Sequence, residues 1–178
     1  RRLSFKNLIK EWQAGKTNYC YTIKNDGHIG IEKILHPRVT KTNTEVIKII
    51  LDNNEELVCT PDHKFMLRDG SFTEARNLKP RMSLMPLQKK FSKREGRITI
   101  EGYEMVLDPI THKWIFTHLL ADKYNFGTKV YATGNGEHKH HLDFNKLNNN
   151  PENIIRLPRE GHLELHRKHA DKTLHTPA

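Results

Sequence analysis

The spacing of apolar side chains changes along the chain, first helical, then strand-like, then mixed. In residues 3–13, Leu3, Leu8, Ile9 and Trp12 fall at helical spacing, with Ser4 placed to cap the amino end and Gly15 to stop the carboxyl end. From there to residue 88 the apolar positions come in short runs broken by turn residues, which predicts strands. Tyr19–Lys24 alternates and meets Asn25-Asp26-Gly27, a hairpin signal because Asn, Asp and Gly tolerate positive φ. His28–Leu35 resumes the strand. Glu45–Leu51 and Glu56–Thr60 flank Asp52-Asn53-Asn54, and Phe65–Leu67 runs into Arg68-Asp69-Gly70-Ser71. Residues 74–78 read as a helical turn and Ser83–Leu87 as a last strand.

The second half is less regular. Residues 88–97, QKKFSKREGR, are basic and polar, and 89–97 is expected to be a linker or a DNA-contacting strap. Residues 98–100 and Tyr103–Leu107 look like strands. Residues 112–124, apolar at Trp114, Ile115, Leu119 and Leu120, read as a helix. Gly127 to Gly136 reads as loop. The expected fold class is α+β, with an all-β module over 1–88 and a second domain over 98–178.

Charge points to a partner. The chain carries 30 Lys and Arg against 21 Asp and Glu, a net charge of +9. Such an excess favours polyanions, nucleic acid first among them. No run of about 18 apolar residues is present and the amino end lacks a signal-peptide apolar region, so a cytoplasmic protein with no membrane partner is expected. Cys20 and Cys59 form no CxxC pair, so they are expected to be small buried hydrophobes rather than a disulfide or zinc site.

Histidine is concentrated in the second half, where His138, His140, His141, His162 and His166 lie close in sequence. His162 and His166 are four apart in a segment of helical composition, which puts both imidazoles on one face. Neighbouring residues of a regular strand point to opposite faces, so His138 shares a face with His140 and is an alternative ligand. Phosphodiester hydrolysis calls for a base, a cation to offset charge, and basic side chains on the flanking phosphates. This segment supplies those residue types.

The string His140-His141-Leu142-Asp143 through Asn149, then Pro151-Glu152-Asn153-Ile154, His162 and His166, resembles the HNH nuclease motif over residues 136–170. The resemblance implies a ββα-metal unit and DNA endonuclease activity. It implies His141 as general base, Asn153 as brace of the loop, and His140, His162 and His166 as ligands of one Mg²⁺ or Mn²⁺, with no structural zinc. Lys89, Lys90, Lys93, Arg94, Arg97, Lys139, Lys146, Arg156, Arg159, Arg167 and Lys168 are the candidate contacts to double-stranded DNA.

Residues 1–88 in turn resemble the amino-terminal region of an intein (Hint domain), through Thr60-Pro61-Asp62-His63 and the strands around it. That resemblance implies His63, supported by Thr60 and Asp62, as a splicing-assist group. Neither splice junction falls within these residues, so splicing is not expected of the chain alone, and the resemblance implies a carboxyl-terminal intein fragment as a partner. Together the resemblances imply an intein homing endonuclease that cuts the intein-less allele. The alternatives are an inactive DNA-binding remnant and a split-intein fragment.

Overall fold

A computed structural model describes residues 3–132 and 135–174. The architecture is α+β, built from small antiparallel sheets and three α-helices among the described residues. The chain divides into two compact units that do not follow the 88/89 boundary: residues 1–14 with 36–87, and residues 15–35 with 88–178.

The first unit opens with α1 (Phe5–Gln13), capped by Ser4, whose hydroxyl accepts the Asn7 amide at 3.3 Å. It continues as β3 (Ile47–Ile50) paired with β4 (Glu56–Cys59), and β5 (Lys64–Met66) paired with β6 (Phe72–Glu74). The strand expected over Ser83–Leu87 reduces to a single bridge from Leu84 to Leu67. Apolar burial in this unit is slight. Leu8 and Ala75 are its buried hydrophobic residues, whereas Ile50, Val58 and Phe72 are more than half exposed.

The second unit holds the core. β1 (Tyr19–Ile23) and β2 (Ile29–Lys33) form the expected hairpin, and β7 (Lys89–Phe91), β8 (Glu104–Leu107) and β9 (Trp114–Phe116) form a three-stranded sheet. Ile29, Ile31, Val106, Leu120, Ala121 and Ile154 pack as one cluster, with Tyr19, Tyr21, Ile23 and Ile115 against it. Asp108 fastens the hairpin to this core. Its fully buried carboxylate accepts the Ile29 amide at 3.1 Å and the Thr111 amide at 2.8 Å, and it meets His28 Nδ1 at 3.1 Å.

Three expectations change here. The helix expected over 112–124 is a strand followed by a helix, because Trp114–Phe116 pair with Met105–Leu107 and α2 (Thr117–Gly127) begins only after them. Within the expected linker, Lys89–Phe91 is a strand. Cys20 is exposed rather than buried, since it takes the outward position in β1, and Cys59 is half-buried.

Candidate metal centre

The histidine segment folds as a hairpin followed by a helix. β10 (His138–His141) pairs antiparallel with β11 (Ile154–Leu157), placing His140 opposite Ile155 and His141 opposite Ile154. Gly136 makes the approach to this hairpin possible. Its φ is +116°, and a β-carbon there would lie 2.1 Å from the Leu157 carbonyl carbon. After Pro158 the chain turns into α3 (Arg159–Leu174), whose first turn presents His162 and whose second presents His166.

His140, His162 and His166 come together, with one candidate ligand atom from each lying within 4.8 Å of the others. Their ring centroids stand 4.6–5.3 Å apart. His140 is the buried wall, His162 is half-buried, and His166 opens to solvent. His140 Nε2 is buried with no hydrogen-bond partner. Burial, reinforced by His166 and His162, pushes the His140 pKa down to about 4, and burial likewise lowers His162. Neutral imidazoles with free lone pairs are what a dication takes as ligands. A cation on three imidazoles keeps open positions and can polarise a bound water or a phosphoryl oxygen. The ring of His138 stacks on His162 at 5.0 Å but stands outside the three-atom cluster.

Strand alternation sends His141 the other way. Its ring lies against His118 and Tyr103, 5.6 and 6.0 Å between centroids, and its Nε2 meets Asn149 Oδ1 at 3.0 Å. His118 is buried, its Nδ1 has no partner, and burial next to His141 lowers its pKa to about 4.

The intervening loop is tied by Asn153. Its Nδ2 donates to Asp143 Oδ1 and to the Asn148 carbonyl, both at 2.8 Å, and its Oδ1 accepts the Asp143 amide at 3.1 Å. This tie holds Phe144 at φ 58°, where its ring edges His140 at 4.7 Å and stacks on His169 at 3.6 Å. The sequence assigns no role to Asn149, His118 or Phe144. Their roles come from contacts across the loop and from α2, which no local spacing encodes.

The expected DNA-contacting side chains divide into two groups. Arg156 is not available: its guanidinium makes two 2.7 Å bonds to Asp122. Lys89 pairs with Glu104 and Lys168 with Glu164, each at 2.7 Å. Lys90 sits over the Trp114 ring, while Lys139 and Lys146 donate to the carbonyls of Glu137 and Glu101. Lys93, Arg94, Arg97, Arg159 and Arg167 are exposed.

In the first unit, Thr60–His63 forms a turn closed by the His63 amide on the Thr60 carbonyl at 3.0 Å. His63 is exposed, edge-on to Phe65. Asp62 pairs with Lys41 at 2.7 Å, and that contact, with help from Thr60, holds its carboxyl well below the usual range.

No family model matches the chain. The chain is 57% identical over 178 residues to the B subunit of DNA gyrase from Synechocystis sp., an alignment that covers 99% of this chain and 16% of that protein. The finding corrects the identification of the chain as an intein carrying an HNH homing endonuclease, along with the remnant and split-intein alternatives. The motif resemblances rested on short strings, whereas this likeness runs through both units, and the relative is a part of DNA gyrase.

Proposed function

We propose that the chain is a divalent-metal-binding, DNA-contacting module of a longer polypeptide related to the B subunit of DNA gyrase. The chain spans 16% of the length of that relative. The observation that carries the reading is the gathering of His140, His162 and His166, with one candidate ligand atom from each within 4.8 Å of the others, together with a buried His140 Nε2 that has no partner. A buried polar atom without a partner costs about 1–3 kcal/mol, and a bound cation removes that cost. When bound there, a dication offers a Lewis-acidic position to a phosphate oxygen. The donors are all imidazoles, which suit a first-row transition-metal dication better than Mg²⁺, whose usual ligands are oxygens; Mn²⁺ serves as the probe because its free form is read directly.

DNA as partner is supported by the net charge of +9 and by the name of the relative. A cytoplasmic location goes with it, and no described helix is long and apolar enough to cross a membrane.

The test is a Mn²⁺ titration followed by the resonance of free Mn²⁺, repeated on His140→Ala and His162→Ala. Wild type is expected to take up one ion per chain and each variant to bind at least tenfold more weakly. DNA affinity, measured by fluorescence anisotropy, is expected to rise with Mn²⁺ in wild type alone. Uptake that ignores both substitutions overturns the metal assignment.

A further inference from the structure

We propose that the ribbon formed by residues 89–107 docks its tip, Lys93–Arg97, in the major groove of duplex DNA. The inference rests on the DNA-contacting reading above and names the element that makes the contact.

The ribbon is held at its neck. β7 and β8 pair as Lys89↔Val106, Lys90↔Met105 and Phe91↔Glu104. Pairing continues beyond them through the Ser92 amide on the Tyr103 carbonyl at 2.8 Å and the Gly102 amide on the Ser92 carbonyl at 2.9 Å. Ser92 is 2% exposed, and its hydroxyl donates to the Ile100 carbonyl at 2.9 Å and accepts the Tyr103 amide at 3.0 Å. Farther out, Glu95 and Ile98 exchange amide bonds at 3.2 and 3.0 Å, closing the tip around Gly96 at φ 57°.

Charge along the ribbon is sorted by position. At the neck, Lys89 and Lys90 are committed to Glu104 and to the Trp114 ring. At the tip, Lys93, Arg94 and Arg97 are exposed, and their side chains make no ion pair or hydrogen bond among the described residues. The tip carries one carboxylate, Glu95, against those three cations. A two-stranded ribbon fits the roughly 12 Å major groove of B-DNA, whereas the deep, narrow major groove of A-form RNA excludes it.

The test is the salt dependence of duplex binding by the 178-residue chain, read by anisotropy from low to moderate salt. Each neutralised phosphate contributes about 0.9 to the slope of log K against log salt, so Lys93→Ala/Arg94→Ala/Arg97→Ala is expected to lower its magnitude by up to about 2.7. A control of equal charge, Lys33→Ala/Lys113→Ala/Lys123→Ala, is expected to keep the wild-type slope. Duplex RNA is expected to show the same slope with wild type and the tip variant. Mn²⁺ uptake by the tip variant is expected to match wild type, which reports an intact fold. If wild type binds duplex DNA with a salt-dependent slope that the tip variant retains, the ribbon proposal fails and the DNA reading stands. Equal losses on RNA and DNA, or in the control variant, overturn the groove assignment. No salt-dependent DNA binding by wild type overturns both.

Discussion

Replacing Arg156 with methionine separates a structural cation from a DNA-contacting one. The guanidinium and the Asp122 carboxylate are 16% and 8% exposed, joined by two bonds of 2.7 Å, with Tyr131 adding a third to Asp122 at 2.6 Å. The guanidinium also lies over the Phe126 and Tyr131 rings, at 5.4 and 5.6 Å. Methionine keeps much of the apolar stem and leaves Asp122 buried with Tyr131 alone. Breaking a buried pair in this way costs about 3–5 kcal/mol, and the lower end applies because solvent still reaches the guanidinium. At Asp122, burial acts to raise the pKa, while Arg156, the Tyr131 hydroxyl and the charge of Lys139 together bring it below the usual carboxylate value. With a depressed folded pKa, the carboxylate contributes stability above its unfolded pKa and loses it as pH falls. The deficit of Arg156→Met is therefore largest at neutral pH and shrinks below about pH 4, where protonated Asp122 no longer needs a cation. The assay is denaturant unfolding followed by Trp114 fluorescence in a Trp12→Phe background, since Trp12 belongs to the other unit. The salt slope of DNA binding is expected to stay at the wild-type value. A stability loss under about 1 kcal/mol would refute the burial argument. A slope reduced by about 0.9 would put Arg156 on a phosphate.

Other outcomes follow from the same geometry. His118, with its pKa lowered to about 4 by burial and by His141, binds a proton more readily unfolded than folded. Stability of the second unit should fall as pH drops from about 6.5 toward 4, by up to about 1.4 kcal/mol per pH unit for this group, and His118→Phe should flatten that dependence in unfolding titrations. Asn153→Ala removes three side-chain bonds from the 143–153 loop. It should cost about 2–3 kcal/mol in thermal unfolding and weaken Mn²⁺ uptake by releasing Phe144 from the cluster. Gly136→Ala places a carbon 2.1 Å from Leu157 backbone at positive φ. It should prevent the β10–β11 hairpin from closing, read as loss of amide-exchange protection over 138–141 and 154–157; a stable, fully protected variant would contradict the fit.

Local features were legible in the sequence where a single residue sets them. Ser4 marked the start of α1, and Asn25-Asp26-Gly27 marked the β1–β2 turn. The four-residue step from His162 to His166 puts both on one face of α3, whereas His140 and His141, implied together as ligand and base, part because neighbours in a strand face opposite ways. What the sequence hid depends on distant partners. Asp108 recruits Ile29 across 79 residues, so β1–β2 joins the second unit despite its place in the first half. Trp114–Phe116 has helical spacing, yet Met105–Leu107 offers an open strand edge and wins. Arg156 and Lys93 look alike in the sequence, and only the position of Asp122 tells the committed cation from the available one.

The early hairpin and the late core are also separated in time. During synthesis, Ile29 and Ile31 leave the ribosome well before Val106, Leu120 and Ile154, the residues they pack against. At about 5–20 residues per second the delay is on the order of ten seconds. Over that interval all of 36–87 emerges and can settle by itself, while the hairpin waits with its apolar face unpaired. Loop closure of this length slows assembly more than it weakens the product. A protease cut between residues 87 and 88 would accordingly leave neither piece with a whole core: the first would carry a hairpin without its bed, the second a bed without its hairpin.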